Sequence, residues 1–233
     1  MQLSLRLTAL ADMVTEGNRL VDVGCDHGFL PIFLVLNKKI PSALAMDVRK
    51  GPLSRAEEHI AEYGFSEKIK TRLSDGLAAL KHGEGDTLVI AGMGGFLMER
   101  ILTDGAELLP DFKELILQPQ SDLAHFRRFI HSIGWEIAGE RMIFEEGKYY
   151  PMIRVVPGDT LQVEPYNEVE EYFGRFLLME KDPVLLKFIN REMILCEDIL
   201  KKLSAASADV AEQRKPEIEE KMRMLRAGLQ YFD

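Results

Sequence analysis

Short apolar segments alternate with segments of helical periodicity along the first 156 residues of the chain. The apolar segments RLVDVG, SALAMDV, IKTRLSDG, DTLVIAGMGG and KELILQPQ are nearly continuous, which is typical of strands that are buried on both faces. Between them, segments such as PLSRAEEHIAEYG have apolar positions at helical spacing and end at a glycine. This alternation predicts an α/β domain that is built on a mostly parallel sheet.

The end of this region has a different pattern. WEIAGERMIF and YYPMIRVVPG are typical of two strands joined by the tight turn EEGK. A parallel sheet that finishes in such a hairpin has one antiparallel strand near its end. This is the usual ending of Rossmann-like, class I methyltransferase sheets, whereas dinucleotide dehydrogenase sheets usually stay parallel.

The C-terminal part of the chain shows heptad spacing, which predicts two long helices in a coiled-coil hairpin. The apolar positions are Ile189, Met193, Cys196, Leu200 and Leu203, followed by Ile218, Met222, Leu225, Leu229 and Phe232. A polar segment separates the two series, and Pro216 is expected near the start of the second helix. We therefore predict two domains, a sheet domain over residues 1–159 and a helical domain over residues 160–233.

Composition and charge narrow the function classes. The 233 residues carry a net charge of −9, which weighs weakly against a broadly basic nucleic-acid binder. The two cysteines are far apart and outside any metal-binding motif, so we expect no disulfide and no metal. No apolar run approaches the roughly 18–20 residues of a membrane span, and no signal-peptide pattern is present. We expect a cytoplasmic monomer or weak dimer without membrane contact.

The turn VDVGCDHG after the first predicted strand carries the most specific chemistry. It places Asp22, Gly24, Asp26 and Gly28 in a D-x-G-x-D-x-G pattern. A dinucleotide loop uses glycines because its backbone approaches a diphosphate, and the two aspartates would repel that group. Carboxylates beside glycine amides suit the ammonium, carboxylate and sulfonium of S-adenosylmethionine. The alternative is a generic turn in which an aspartate caps the next helix.

Later strand ends supply further candidates for the cofactor site. Asp47, at the end of the second strand, is expected to accept hydrogen bonds from ribose hydroxyls, with a helix cap as the alternative. Asp75 and Gly76 follow the third strand, where they suit an adenine ring or simply form a turn. Closely spaced glycines after the fourth strand allow a ligand to approach the backbone, and Met93 among them either contacts the cofactor or fills the core. The candidates in this loop are Gly92, Met93 and Gly94.

A second group of residues has weaker signals. Gln118, at the end of the fifth strand, is expected to hydrogen-bond a base edge or to tie a loop. Arg6 on the first helix reaches either a ligand carboxylate at the groove or solvent. We interpret Phe29 as a core residue, with stacking on a flat acceptor as the alternative, and His27 as a residue that orients the loop or packs. The pair Arg127 and Arg128 is interpreted as solvated.

The ordered set VDVGCDHGFLP, MDVRKGPL, RLSDGL, IAGMGG, LILQPQ, FRRF and EEGKYY resembles the bacterial TrmK family. That family methylates N1 of adenine 22 in tRNA. The resemblance implies a class I methyltransferase that uses S-adenosylmethionine, with a C-terminal coiled-coil-like domain that holds tRNA. It also implies cofactor contacts at Arg6, Asp22, Gly24, Asp47, Asp75, Gly76 and residues 91–95, and it places Asp26 beside the acceptor base.

The expected chemistry is a direct transfer to a ring nitrogen. N1 of adenine has a lone pair in the base plane, so no covalent enzyme intermediate is needed, but the base must be unpaired or flipped out. Asp26 and Gln118 are the predicted acceptor-side residues. Two other classes remain open at this point, a small-molecule methyltransferase and a tRNA-binding protein without catalytic activity.

Overall fold

The computed structural model describes residues 1–158, 165–204 and 208–233. The chain divides into two units, Met1–Val163 and Glu164–Asp233. The predicted boundary between residues 159 and 160 lies outside the described residues and stays a prediction. Within the described ranges, no helix is both long enough and apolar enough to cross a bilayer.

One sheet organises the first unit. Its strands, within the described chain, are β1 (Leu20–Val23), β2 (Ala43–Asp47), β3 (Ile69–Leu73), β4 (Thr87–Met93), β5 (Glu114–Pro119), β6 (Trp135–Glu145) and β7 (Lys148–Pro157). The strand order is β3-β2-β1-β4-β5-β7-β6. The pairs from β3 to β5 are parallel, and β7 is antiparallel to both β5 and β6. The predicted parallel sheet with one antiparallel strand near its end is therefore confirmed.

Burial follows the apolar pattern of the strands. Every residue of β1, β2 and β5 is buried, as are the first four residues of β4. The neighbours of β1 are β2 on one side and β4 on the other, so the order of the strands reverses at β1. In open α/β sheets the crevice for a ligand forms at such a switch point, at the carboxyl ends of the strands.

Helices connect the strands and pack against the sheet. They are α1 (Leu5–Met13), α2 (Phe29–Leu36), α3 (Lys50–Glu62), α4 (Gly95–Asp104) and α5 (Leu123–Ser132), with a short 3-10 segment at Ala106–Asp111. The first turn of α1 is held by the end of β6, because the Glu145 carboxylate accepts a hydrogen bond from the Leu5 N–H at 2.6 Å. Ser4 caps the same turn by accepting from the Leu7 N–H. These bonds fix the start of α1, where Arg6 lies.

Arg127 is a core residue, and the expectation that it is solvated is wrong. Its side chain on α5 is 1% exposed, and its Nε donates to the Glu140 carboxylate of β6 at 2.8 Å. Arg127 lies on the same helix face as Phe126 and Ile130, both fully buried. A buried guanidinium is tolerated only when it is paired and hydrogen-bonded, and Glu140 provides the partner.

The second unit is helical. Its helices are α6 (Glu168–Phe173), α7 (Arg175–Met179), α8 (Pro183–Ser204) and α9 (Ala208–Leu229), followed by a 3-10 turn at Gln230–Phe232. Asn167 and Glu170 form a capping box at the start of α6. The long helices α8 and α9 pack against each other, and an ion pair of 2.6 Å joins Glu192 to Lys221. The predicted helix pair is present, whereas coiled-coil geometry stays a prediction.

The position of Pro216 differs from the prediction. The second long helix begins at Ala208, so Pro216 lies inside α9 and not near its start. Residues 208–215 read ADVAEQRK, which is rich in strong helix formers, and this segment extends the helix before the proline. The segment between the helices is therefore shorter than predicted, and residues 205–207 lie outside the described residues.

Candidate active site

A cavity of about 520 Å³ opens at the carboxyl ends of β1, β2, β3 and β4. It is lined by residues 22–27, 47–49, 74–76 and 91–93, together with Arg6, Leu7 and Leu10 of α1. The volume lies within the range of about 300–1,000 Å³ that is usual for small-molecule sites. The cavity therefore occupies the place that the strand order predicts for a ligand.

The turn after β1 explains the glycine–aspartate pattern. Gly24 has a φ of +79°, and its N–H donates to the Met46 carbonyl oxygen at 2.8 Å. A Cβ atom at Gly24 would lie 2.5 Å from Cε of Met93, so a larger residue would displace that methionine. Asp26 also has a positive φ of 48°, a conformation that favours glycine. Such strain is common at functional sites, and here it places Asp26 at the cavity.

Two buried carboxylates line the cavity. Asp22 is 5% exposed and Asp47 is 4% exposed. Oδ1 of Asp47 accepts from the Arg49 N–H at 2.8 Å, whereas the Asp22 carboxylate accepts no hydrogen bond from any described residue. Burial, and after it the charge of Asp47, raises the pKa of Asp22 to about 7, against the opposing charge of Arg6. A buried carboxylate without a partner is costly, so this wall fits a ligand with an ammonium or another cationic group, as S-adenosylmethionine has.

Arg6 is held over the cavity by two contacts. Its Nη1 donates to Oε1 of Gln118 at 3.3 Å, and its guanidinium lies 5.5 Å from the ring centroid of Tyr150. Oε1 of Gln118 also accepts from the Gly92 N–H at 3.1 Å. Gln118 itself is fully buried and does not line the cavity, where Gln120 lies instead. The structure therefore places Gln118 behind Arg6 and Gly92, and not at the acceptor edge that its position on the strand suggested.

The turn after β3 and the loop after β4 bring most of the remaining predicted residues to the cavity. Gly76 has a φ of +54°, and Asp75 lies 3.2 Å from Nη2 of Arg100. Gly92 and Met93 line the cavity. Gly94 does not, because it is the N-cap residue of α4. Nine of the eleven predicted site residues thus surround one cavity, and Gln118 and Gly94 are the two that do not line it.

Phe29 is not a core residue, contrary to the prediction. It is 36% exposed and lines the cavity. Its ring stacks on His27 at 5.4 Å and on His59 at 4.9 Å, with interplanar angles of 11° and 18°. Nδ1 of His59 is 3.0 Å from the His27 carbonyl oxygen, so it must carry the proton of this hydrogen bond. Phe29 is the first residue of α2, so the direction of its side chain depends on the turn before the helix. The apolar pattern of the sequence does not show the conformation of that turn.

Several lining residues were missed by the sequence analysis. Arg49 is two residues from Asp47 in the sequence, which was an available signal, whereas Arg100 reaches Asp75 from α4 and had none. Tyr150 lies on β7 and had no such signal, because only the sheet order brings it near Arg6.

Cys25 also lines the cavity, and burial raises the pKa of its thiol far above the ordinary value, which keeps it protonated. In the described part of the chain, no group of three His, Cys, Asp or Glu side chains could hold a metal ion.

A mostly parallel sheet with an antiparallel β7, together with an acidic cavity at its switch point, defines the Rossmann-like, class I methyltransferases. The family model of TrmK, tRNA (adenine(22)-N(1))-methyltransferase, matches residues 20–227. The chain belongs to this family. The resemblance seen in the sequence motifs and the predicted class I methyltransferase sheet are both confirmed.

Individual relatives agree with this assignment. The Bacillus subtilis tRNA (adenine(22)-N(1))-methyltransferase is 32% identical over 97% of this chain and 96% of its own. A crystal structure of the Bacillus subtilis m1A22 tRNA methyltransferase TrmK superposes with a TM-score of 0.82 at 30% identity, covering 100% of this chain and 99% of that one. A Streptococcus pneumoniae protein, named as a candidate tRNA (m1A22) methyltransferase and solved with S-adenosyl-L-methionine, has a TM-score of 0.87 at 33% identity, covering 98% and 100%.

Proposed function

We propose that this protein transfers a methyl group from S-adenosylmethionine to N1 of adenine 22 in tRNA. Membership of the TrmK family supports the reaction and the substrate. The single structural observation that carries the proposal is the Asp22 carboxylate, which is buried in the cavity without a hydrogen-bond partner among the described residues. A cationic methyl donor supplies the positively charged partner that this carboxylate lacks.

The residues of the cavity suggest how the cofactor is held. Asp22 faces the ammonium, and Gly24 gives the chain a tight turn against which Met93 packs. Asp47 has one oxygen bound to the Arg49 N–H, and its other oxygen is left for the ribose hydroxyls. The cofactor supplies an electrophilic methyl group on its sulfonium sulfur.

The adenine end of the cofactor is assigned to the turn after β3. Asp75 and Gly76 line the cavity there, and the positive φ of Gly76 keeps a side chain out of the way. Met93 packs against Gly24, where no side chain is in the way, and contributes an apolar contact to the cofactor. Arg6 offers its guanidinium to the carboxylate of the bound cofactor, because Gln118 and Tyr150 fix it at the cavity wall.

Asp26 is assigned to the acceptor base. Its side chain is 59% exposed, and its nearest basic neighbours are Nε2 of His27 at 3.7 Å and Nη2 of Arg55 at 4.0 Å. Both distances are longer than a hydrogen bond, so the carboxylate is free to accept from the amino group of adenine. That contact leaves the N1 lone pair unobstructed, and the negative charge stabilises the positive charge that develops on the ring.

The helical unit is assigned to tRNA binding. Lys187 on α8 is exposed, and so are Lys201 and Lys202 in the last turn of the same helix. Basic side chains of this kind bind phosphates with a strength that falls steeply with salt. Replacing Lys201 and Lys202 together by Ser should raise the KM for tRNA and leave the Kd for S-adenosylmethionine unchanged.

Methyl transfer from labelled S-adenosylmethionine to unmodified bulk tRNA, followed by nucleoside analysis, tests the proposal. We expect labelled 1-methyladenosine, with loss of the label in Asp26→Ala. Cofactor binding without label in any tRNA would favour a small-molecule methyltransferase. Binding of tRNA without any turnover of the cofactor would favour a non-catalytic binding protein.

A further inference from the structure

We propose that His27, Phe29 and His59 form a stacking platform on which the target adenine lies during methyl transfer. These three residues are called the ring cluster below. The inference rests on the proposed function and names the part of the protein that receives the acceptor base. His59 belongs to α3, outside the turn and strand ends that hold the cofactor residues.

The ring cluster is assembled by a close approach of two helices. Gly28 is the N-cap residue of α2, with a φ of +69°. A Cβ atom at Gly28 would lie 3.2 Å from Cβ of Ala56 on α3, so the glycine lets the turn approach that helix. His59 is one turn further along α3, and its Nδ1–H donates to the His27 carbonyl oxygen at 3.0 Å. The backbone and the rings are therefore fixed together.

The three rings of the ring cluster stack on one another with small angles between their planes. The interplanar angles are 11° for His27 and Phe29, 18° for Phe29 and His59, and 29° for the two histidines. All three centroid distances lie between 4.9 and 5.6 Å, which is offset stacking. Both His27 and Phe29 line the cavity, and Phe29 is 36% exposed. An exposed aromatic face at a cavity suits a planar ligand with a π-face.

Two other exposed aromatic pairs differ from the ring cluster in their interplanar angle and in their position relative to the cavity. Phe96 and His125 are inclined at 40°, and Phe144 and Tyr149 are inclined at 44°. None of these four residues lines the cavity. In the ring cluster, by contrast, His27 and Phe29 line the cavity, and His59 stacks on both of them from α3.

The edge of the ring cluster carries a group that distinguishes adenine. Asp26 lies 3.7 Å from Nε2 of His27, so its carboxylate is next to the stacking face. Adenine presents an amino donor beside N1, and the carboxylate can accept from it. Guanine presents a carbonyl oxygen at the same place and a proton on N1, so it would meet repulsion and would have no free lone pair. Stacking on the rings and pairing with Asp26 together select adenine.

The direct test follows the histidine ring protons by NMR in full-length protein saturated with S-adenosylhomocysteine, which occupies the cofactor part of the cavity. On addition of adenosine, we expect upfield ring-current shifts of the His27 and His59 C–H resonances. Phe29→Leu should abolish them. Tyr63→Leu is the matched control, because Tyr63 is an exposed aromatic residue of the same region that does not line the cavity. Shifts that appear with S-adenosylhomocysteine alone, and none with adenosine, would overturn the platform.

Kinetics supply the second test. Phe29→Leu should lower kcat/KM for tRNA about tenfold or more, as expected for the loss of base stacking, with the Kd for S-adenosylmethionine within about twofold of wild type. Phe29→Tyr keeps the ring and should keep most of the activity. His59→Phe keeps a ring and His59→Gln keeps a donor, so the platform predicts the higher kcat/KM for His59→Phe. The reverse order would show that His59 acts only through its hydrogen bond.

The two proposals fail in different ways. If wild-type protein labels no tRNA, the proposed function fails, while the adenosine titration still decides whether the rings receive a base. If wild-type protein forms 1-methyladenosine and Phe29→Leu has wild-type kinetics, the function stands and the platform is wrong.

Discussion

Asp22 and Asp47 line one cavity from neighbouring parallel strands, and burial together with the charge of Asp47 raises the pKa of Asp22 to about 7. The charged form of Asp22 is therefore unfavourable in the protein without a ligand. Under the proposed function, the positive charge of the bound cofactor offsets this cost. Asp22 thus links the stability of the protein to the occupancy of the cavity.

The pH dependence of stability should report this link. The pKa of Asp22 is raised in the folded protein, so its stabilising contribution is present below the ordinary aspartate pKa of 3.8 and is lost as the pH rises through about 7. Asp22→Asn removes this loss. We expect Asp22→Asn to raise the Tm of the cofactor-free protein relative to wild type more at pH 8 than at pH 5, in scanning calorimetry.

The same variant should bind S-adenosylmethionine more weakly, because its amide carries no charge to face the ammonium. A Tm difference that is equal at both pH values would show that Asp22 titrates as an ordinary exposed carboxyl group. The measured quantity is the difference in Tm between Asp22→Asn and wild type in the same buffer, so the contributions of the other titrating groups cancel.

Gln118 is expected to act as a positioning residue through Arg6 and Gly92. Gln118→Leu removes the oxygen that accepts from both groups, and it should lower kcat/KM about tenfold. Gln118→Glu keeps an acceptor oxygen at the same place and should recover a large part of the loss. Steady-state kinetics, together with cofactor binding measured by calorimetry, compares Gln118→Leu with Gln118→Glu. Equal defects in both variants would contradict the positioning role.

The buried pair of Arg127 and Glu140 should matter for stability and not for the reaction. Arg127→Met leaves the Glu140 carboxylate buried without this partner, so we expect a loss of roughly 3–5 kcal/mol in urea unfolding. The double variant Arg127→Met/Glu140→Leu should recover part of this loss, because it removes both charges. Arg128→Met is the control, since Arg128 is exposed and should change stability by less than about 1 kcal/mol. Similar losses for Arg127→Met and Arg128→Met would refute the buried pair.

Gly228 should resist the substitution that usually stabilises a helix. Alanine normally improves on glycine within a helix by about 1 kcal/mol. At Gly228 of α9, however, a Cβ atom would lie 2.6 Å from Cε2 of Phe173. We expect Gly228→Ala to destabilise the helical unit and to speed amide hydrogen exchange in α8 and α9. Phe173→Leu in the same chain should relieve the clash, and a stabilised Gly228→Ala would contradict the packing.

The sheet and much of the site follow from the sequence because they depend on local patterns. Apolar runs such as LVDV and ALAMD become strands that are buried at every position. In parallel strands the carboxyl ends meet at one edge, so Asp22, Asp47 and Gly92 converge although they are far apart in sequence. The two acids and the glycine needed no knowledge of side-chain packing to be placed there.

The differences concern side-chain direction and long-range pairing. Arg127 shares a helix face with the buried Phe126 and Ile130, but an arginine is expected on that face only if a partner is present, and the partner Glu140 lies on a later strand. Gln118 turns toward Arg6 of a distant helix and away from the cavity. Phe29 faces the cavity because a turn of positive φ at Gly28 precedes it. Each of these depends on contacts that periodicity does not contain.

Methyl transfer to a single adenine of tRNA can be tested by comparing two substrates. Wild type and Asp26→Asn are incubated with labelled S-adenosylmethionine and two tRNA transcripts that differ only in having adenine or guanine at position 22. The proposed function predicts label at position 22 of the adenine transcript with wild type, no label in the guanine transcript, and a large loss with Asp26→Asn despite intact cofactor binding. Equal labelling of both transcripts, or full turnover by Asp26→Asn, would contradict it.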